Sequence, residues 1–196
     1  MSKELSAHPS SLVLTASPAS HWLRSGGIVL GGSALVAICA HLSLPLIFTP
    51  VPLSLAPFAV LLLGLLLSPR LAFATLAAYL AEGAAGLPVF APGPLGLAHL
   101  LGPTGGYLFS YPLAAPLIGL LYRRFGRGFT SAALSAAVGS FLTLALGASW
   151  LAMLTHRSPL SILPLAVLPF LPGDALKVAA AAGIAAGYQR LRRRNP

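Results

Sequence analysis

GAAGLPVFAPGPLGLAHLLGPTGGY, residues 83–107, separates two apolar segments long enough to cross a bilayer, and it holds seven glycines and four prolines. Backbone of that composition leaves N–H and C=O groups that no regular helix pairs. Close to lipid, such backbone persists only where protein buries it or a watery cavity receives it. The stretch therefore reads as the wall or lid of a binding site. A long external loop without a ligand is the alternative.

The composition around it leaves little choice of class. Of 196 residues, 57% are hydrophobic and 8% charged, with a mean hydropathy of +0.87. A soluble globule of this length cannot hide so much apolar surface. The apolar runs are continuous rather than alternating, which selects helices over a closed barrel. The expectation is an all-α integral membrane protein. The formal net charge of +9 fits cytoplasmic loops and lipid headgroups. The basic tail at Arg190 and 192–194 has no aromatic residues among its arginines, so a nucleic-acid partner is not expected. Cys39 is the lone cysteine, which excludes an internal disulfide and reads as a packing residue.

Outward from the Gly/Pro stretch, the apolar segments count to six. They run from about residues 25 to 42, 53 to 67, 71 to 86, 107 to 122, 130 to 154 and 173 to 189. The stretch becomes an outer loop between the third and fourth transmembrane helices. Residues 43–57 carry four prolines and no charge, predicting an extended or broken segment. Residues 160–172, with Pro164, Pro169 and Pro172, predict a short broken segment dipping toward the site. The domain reading is a tail over 1–21, a six-helix membrane domain over 22–190 and a basic tail over 191–196.

Six spans place both termini on one side. That side then carries ten basic residues, Lys3, Arg24, Arg70, Arg123, Arg124, Arg127, Arg190 and 192–194, against Arg157 alone opposite. Retention of positive charge in the cytoplasm puts both termini inside and the Gly/Pro loop outside.

Charge within the spans singles out the candidate site. Asp174 and Lys177 stand three apart and share a helix face. A charge at the bilayer centre costs about 2.5–3.5 kcal/mol on insertion scales, so such residues pair or line a cavity. Pro172 and Gly173 place Asp174 at a helix start, where an acidic cap neutralised by the lysine is the structural alternative. As ligand groups, the lysine can meet a carboxylate and the aspartate can accept N–H donors from a polar ring. Glu82 is a second polar candidate, and Tyr79, Phe90 and Tyr107 supply candidate aromatic walls. Trp150 reads as an interfacial belt residue. Gly27 and Gly31, and Ser33 and Ala37, stand four apart in the first span and suit close approach of another helix, internal or on a partner. His41, His99 and His156 are too scattered to seat a metal, although His99 lies inside the Gly/Pro stretch. GPTGGY lacks the lysine of a phosphate-binding loop, and no nucleophile motif is present, so no catalytic residue, cofactor or metal is expected.

Four landmarks in order, TPVPLSL (Thr49–Leu55), GLPVFA (Gly86–Ala91), GPTGGYLFSYPLAA (Gly102–Ala115) and PFLPGDALK (Pro169–Lys177), make the chain resemble the BioY family. These are the biotin-binding S components of energy-coupling factor (ECF) transporters. The likeness covers about residues 26–188, with Ala56 or Pro57 where the family pattern has a glutamine. It implies a six-helix protein that captures biotin outside and delivers it inside. It also implies a transmembrane coupling subunit and ATPase subunits as partners, besides membrane lipid. By the same resemblance Asp174 and Lys177 hold the ligand. Segments 86–90 and 102–107, with Gly102, Thr104, Gly105, Gly106 and Tyr107, close over it. Gly27, Gly31, Ser33 and Ala37 serve docking. The alternatives are an S component for another small vitamin, a membrane enzyme, and an assembly subunit without a vitamin ligand. The enzyme reading is weakened by the lack of clustered carboxylates for a metal.

Overall fold

The computed structural model describes residues 18–126 and 128–194. The expected N-terminal tail up to residue 17, Arg127 and the last two residues lie outside them. In chain order the elements are α1 (Pro18–His41), β1 (Ser43–Leu44), β2 (Leu53–Ser54), α2 (Ala56–Leu66), α3 (Pro69–Ala84), α4 (Leu97–Leu100), α5 (Gly105–Arg124), α6 (Phe129–Thr155), α7 (Pro159–Ala166) and α8 (Leu171–Arg194).

Proline sets several of these boundaries. It occupies the first turn of α2, α3 and α7, where its missing N–H would have no intrahelical partner anyway. Ser68 caps α3 by accepting the Leu71 N–H at 3.3 Å. Pro112 and Pro116 lie inside α5 without ending it. Such prolines persist where neighbouring helices support the backbone.

α2 is the hub. It packs against α1, α3, α5, α6 and α8, and most of its side chains are buried. One core joins α1, α2, α3 and α5 around Val36, Leu76, Tyr79 and Tyr111. A second packs α6 against α8 through Ala132, Ala136, Ala181, Ala182 and Ala185. Small residues there let the two backbones approach closely, as the Ala/Ser/Gly composition of α6 suggested.

Two expectations are revised, and a third, the count of six spans, is not decided by helix length and composition. The proline-rich segment after α1 is not simply extended. It doubles back as an antiparallel pair with Ser43 opposite Ser54 and Leu44 opposite Leu53. Thr49 anchors it by donating to the Leu165 carbonyl at 2.8 Å. Residues 159–166 are helical, and the break falls after them, where α7 and α8 meet at a 56° bend. Finally, length and apolar composition qualify only α1, α6 and the bent α7–α8 pair, among the described residues, as spans. α2 has 11 residues and rises about 16 Å, shorter than the hydrocarbon thickness, and it is enclosed by α1, α3, α5, α6 and α8.

Candidate functional site

Asp174 lies in the first turn of α8, immediately after the bend. Its Oδ1 accepts from Lys177 Nζ at 3.0 Å, and its Oδ2 accepts from Ser140 Oγ of α6 at 2.7 Å. Asp174 is 8% exposed and Lys177 9%. The pair is charge-balanced, which is what makes its burial tolerable. One ammonium hydrogen points at Asp174, leaving two donors on Lys177, while each aspartate oxygen keeps a further lone pair.

The pair borders a cavity of about 610 Å³, its mouth included. Its walls come from most of the fold: Val51 and Pro52 of the hairpin, Tyr79 of α3, Tyr107 and Tyr111 of α5, and Thr143 of α6. The lining is chiefly apolar and aromatic, with few polar groups. Tyr107 is fixed by donating its hydroxyl to the Ala166 carbonyl at 2.6 Å, with its ring 6.3 Å from that of Phe170. Tyr79 donates to the Val89 carbonyl at 3.1 Å. Both hydroxyls thus hold their rings as walls by bonding backbone.

The Gly/Pro stretch contributes Ala91, His99 and Thr104 to the same cavity. Thr104 occupies the N-cap of α5, yet its hydroxyl makes no capping bond. His99 hydrogen-bonds the Pro94 carbonyl through Nδ1 at 3.0 Å, and its ring lies 5.1 Å from that of Phe90. Phe90 in turn meets Tyr79 edge-on at 5.3 Å. A neighbouring cavity of about 380 Å³ shares Pro52, His99 and Thr104 with the first and adds Gly102.

Of the residues singled out in the sequence, Asp174, Lys177, Tyr79, Thr104 and Tyr107 come together on the main cavity. Phe90 stands behind Tyr79 and His99, and Gly102 borders only the neighbouring cavity. The glycines at 105 and 106 serve packing instead. A Cβ at Gly105 would come within 1.9 Å of the Leu100 carbonyl oxygen, and one at Gly106 within 2.2 Å of Trp150 Cβ. Trp150 is accordingly more than a belt residue, since its Nε1 donates to the Gly102 carbonyl at 2.9 Å.

Glu82 lies apart from the others. It accepts a hydrogen bond from Ser33 of α1 and lies outside the cavity wall. Ser33, expected at a docking face, is buried against α3 through that bond. The close helix approach in α1 belongs to Gly32, where a Cβ would meet Thr75 Cγ2 at 2.6 Å. Gly27 and Gly31 face outward with open space around them, and Ala37 is half-buried.

Ser140, Thr143, Tyr111 and the hairpin residues were not singled out. Ser140 and Thr143 did leave a signal, two hydroxyls one turn apart on an otherwise apolar helix face. Tyr111 and the hairpin residues lie within the landmarks at 102–115 and 49–55, but nothing local shows which face of α5 or of the proline-rich segment looks inward.

Comparison with known proteins identifies the family and the fold. The BioY family model matches residues 11–194. The chain is 40% identical over 156 residues to the probable biotin transporter BioY of Pyrococcus horikoshii, covering 80% of this chain and 90% of that protein. It is 37% identical over 161 residues to the biotin transporter BioY of Thermotoga maritima, covering 81% and 92%. Its fold is similar to the crystal structure of the S-component for biotin from an ECF-type ABC transporter. That match has a TM-score of 0.80 and 27% identity, and covers 91% of this chain and 95% of the other. With its landmarks, its helical fold and these matches all in agreement, the chain belongs to the BioY family.

Proposed function

We propose that this protein is the substrate-binding subunit of an ECF-type transporter, taking up biotin across the cytoplasmic membrane. The carrying observation is the buried, charge-balanced Asp174–Lys177 pair on the wall of an otherwise apolar cavity, in a chain of the BioY family. The ureido edge of biotin is neutral and sets a carbonyl between two N–H groups. The spare Lys177 donors suit that carbonyl, and the remaining Asp174 lone pairs suit an N–H. The apolar thioether ring then lies against Tyr79, Tyr107 and Tyr111. Thr104 and the Gly102–Tyr107 turn close the outer side, with Phe90, Gly105 and Gly106 acting from behind as packing.

In this reading α1, α2, α3, α5, α6 and the bent α7–α8 pair are six passes, and residues 22–190 form the membrane domain between two cytoplasmic tails. The short α2 is feasible because protein, not lipid, surrounds it. The bias of basic residues supports cytoplasmic termini and an outward-facing 83–107 loop. Capture occurs outside and release inside, with lipid around the bundle. A transmembrane coupling subunit and ATPases supply the energy, the coupling subunit docking on the exposed Gly27/Gly31 face. The protein performs transport rather than catalysis. Equilibrium binding of labelled biotin to the detergent-purified chain, against thiamine and riboflavin, tests the reading. Saturable binding of biotin alone is expected; an intact chain that ignores biotin refutes it.

A further inference from the structure

We propose that the carboxylate end of bound biotin is received by Nε2 of His99, on the wall that the two cavities share. The inference rests on the biotin reading above and adds the place and partner of the acid tail.

Biotin is an anion, so its tail needs hydrogen-bond donors inside an apolar cavity. Apart from the tyrosines, the ionisable side chains lining that cavity are Asp174, Lys177 and His99. Lys177 is spent electrostatically on Asp174, and Asp174 repels a second carboxylate. His99 remains. It is 6% exposed, so it is a built part of the wall rather than a solvated side chain. Its Nδ1 is committed to the Pro94 carbonyl at 3.0 Å, which leaves Nε2 as the nitrogen for a ligand. Phe90 flanks the ring at 5.1 Å.

Thr104 strengthens the assignment. It lines both cavities alongside His99, and its hydroxyl is not used to cap α5. The same residue marks the N-terminal end of a 20-residue helix, whose dipole favours a negative group. A ureido ring at Asp174–Lys177 and a tail at His99–Thr104 uses the polar groups on both sides of the cavity.

The test compares biotin with biotinamide, which keeps the rings and chain but ends in an uncharged amide, on the full chain in detergent. His99→Asn retains a donor near Nδ1 for Pro94 and deletes Nε2. His99→Gln places an amide nearer the Nε2 position and gives up the Pro94 bond. The wild-type protein is expected to prefer biotin. His99→Asn should lose about tenfold or more in biotin affinity while biotinamide changes by less than about threefold, and His99→Gln should bind biotin better than His99→Asn. The proposal is overturned if His99→Asn keeps the wild-type preference, or if it loses both compounds equally, which would make His99 a pin for the loop. A wild-type chain that binds neither compound refutes the biotin reading itself.

Discussion

Ser140 Oγ donates to Asp174 Oδ2 at 2.7 Å, and this bond ties α6 to the first turn of α8 at the wall of the cavity. Without it a buried carboxylate oxygen would lose a protein donor, a deficit of about 1–3 kcal/mol. Ser140→Ala should therefore fold and yet bind biotin roughly tenfold more weakly. Titration calorimetry on the purified variant, with a thermal melt in parallel, checks both halves of that expectation.

The Asp174–Lys177 pair allows stability and binding to be separated. Lys177→Met strands a buried carboxylate and should cost about 3–5 kcal/mol of stability as well as binding. Adding Asp174→Asn removes the stranded charge, so the double variant should regain much of the lost thermal stability. It should not regain biotin binding. Recovery of both would make the pair a structural cap and nothing more.

Glu82 provides a control among the intramembrane carboxylates. Its partner is Ser33, and it lies away from the cavity. Glu82→Gln should leave biotin affinity within about twofold, since an amide can still accept the serine hydroxyl. A large loss of affinity would place Glu82 back in the site.

The turn GPTGGY should be intolerant for steric reasons. Gly106→Ala forces a Cβ to within 2.2 Å of Trp150 Cβ, so α5 or α6 has to shift. A drop in melting temperature and in monodisperse yield is expected, on the scale of overpacking, about 1–3 kcal/mol or more. Gly183→Ala, with open space around it, should behave as wild type by the same measurements.

The outward glycines of α1 test the docking reading. Gly27→Leu with Gly31→Leu adds bulk where nothing lies within 4 Å, so the isolated chain should fold and bind biotin normally. Co-purification with a coupling subunit should fall sharply if this face is the contact. Ser33→Ala should instead lower stability modestly through its lost bond to Glu82, with assembly unchanged.

Membrane class, the long helical segments and the Asp174–Lys177 pair were legible in the sequence alone, whereas the short helix at 159–166 was not. Continuous apolar runs and the cost of burying charge are local properties, readable from residue type and spacing. The cavity was not legible in the same way. Thr143, Tyr111 and Val51 reach it from three distant parts of the chain, and Glu82 is held away from it by a serine 49 residues away. Gly105 and Gly106 looked like ligand-closing residues, yet the Leu100 carbonyl and Trp150 claim the space beside them. Which face of a helix looks inward, and which polar group finds its partner inside the protein, depends on how the helices pack, and only the tertiary structure decides that.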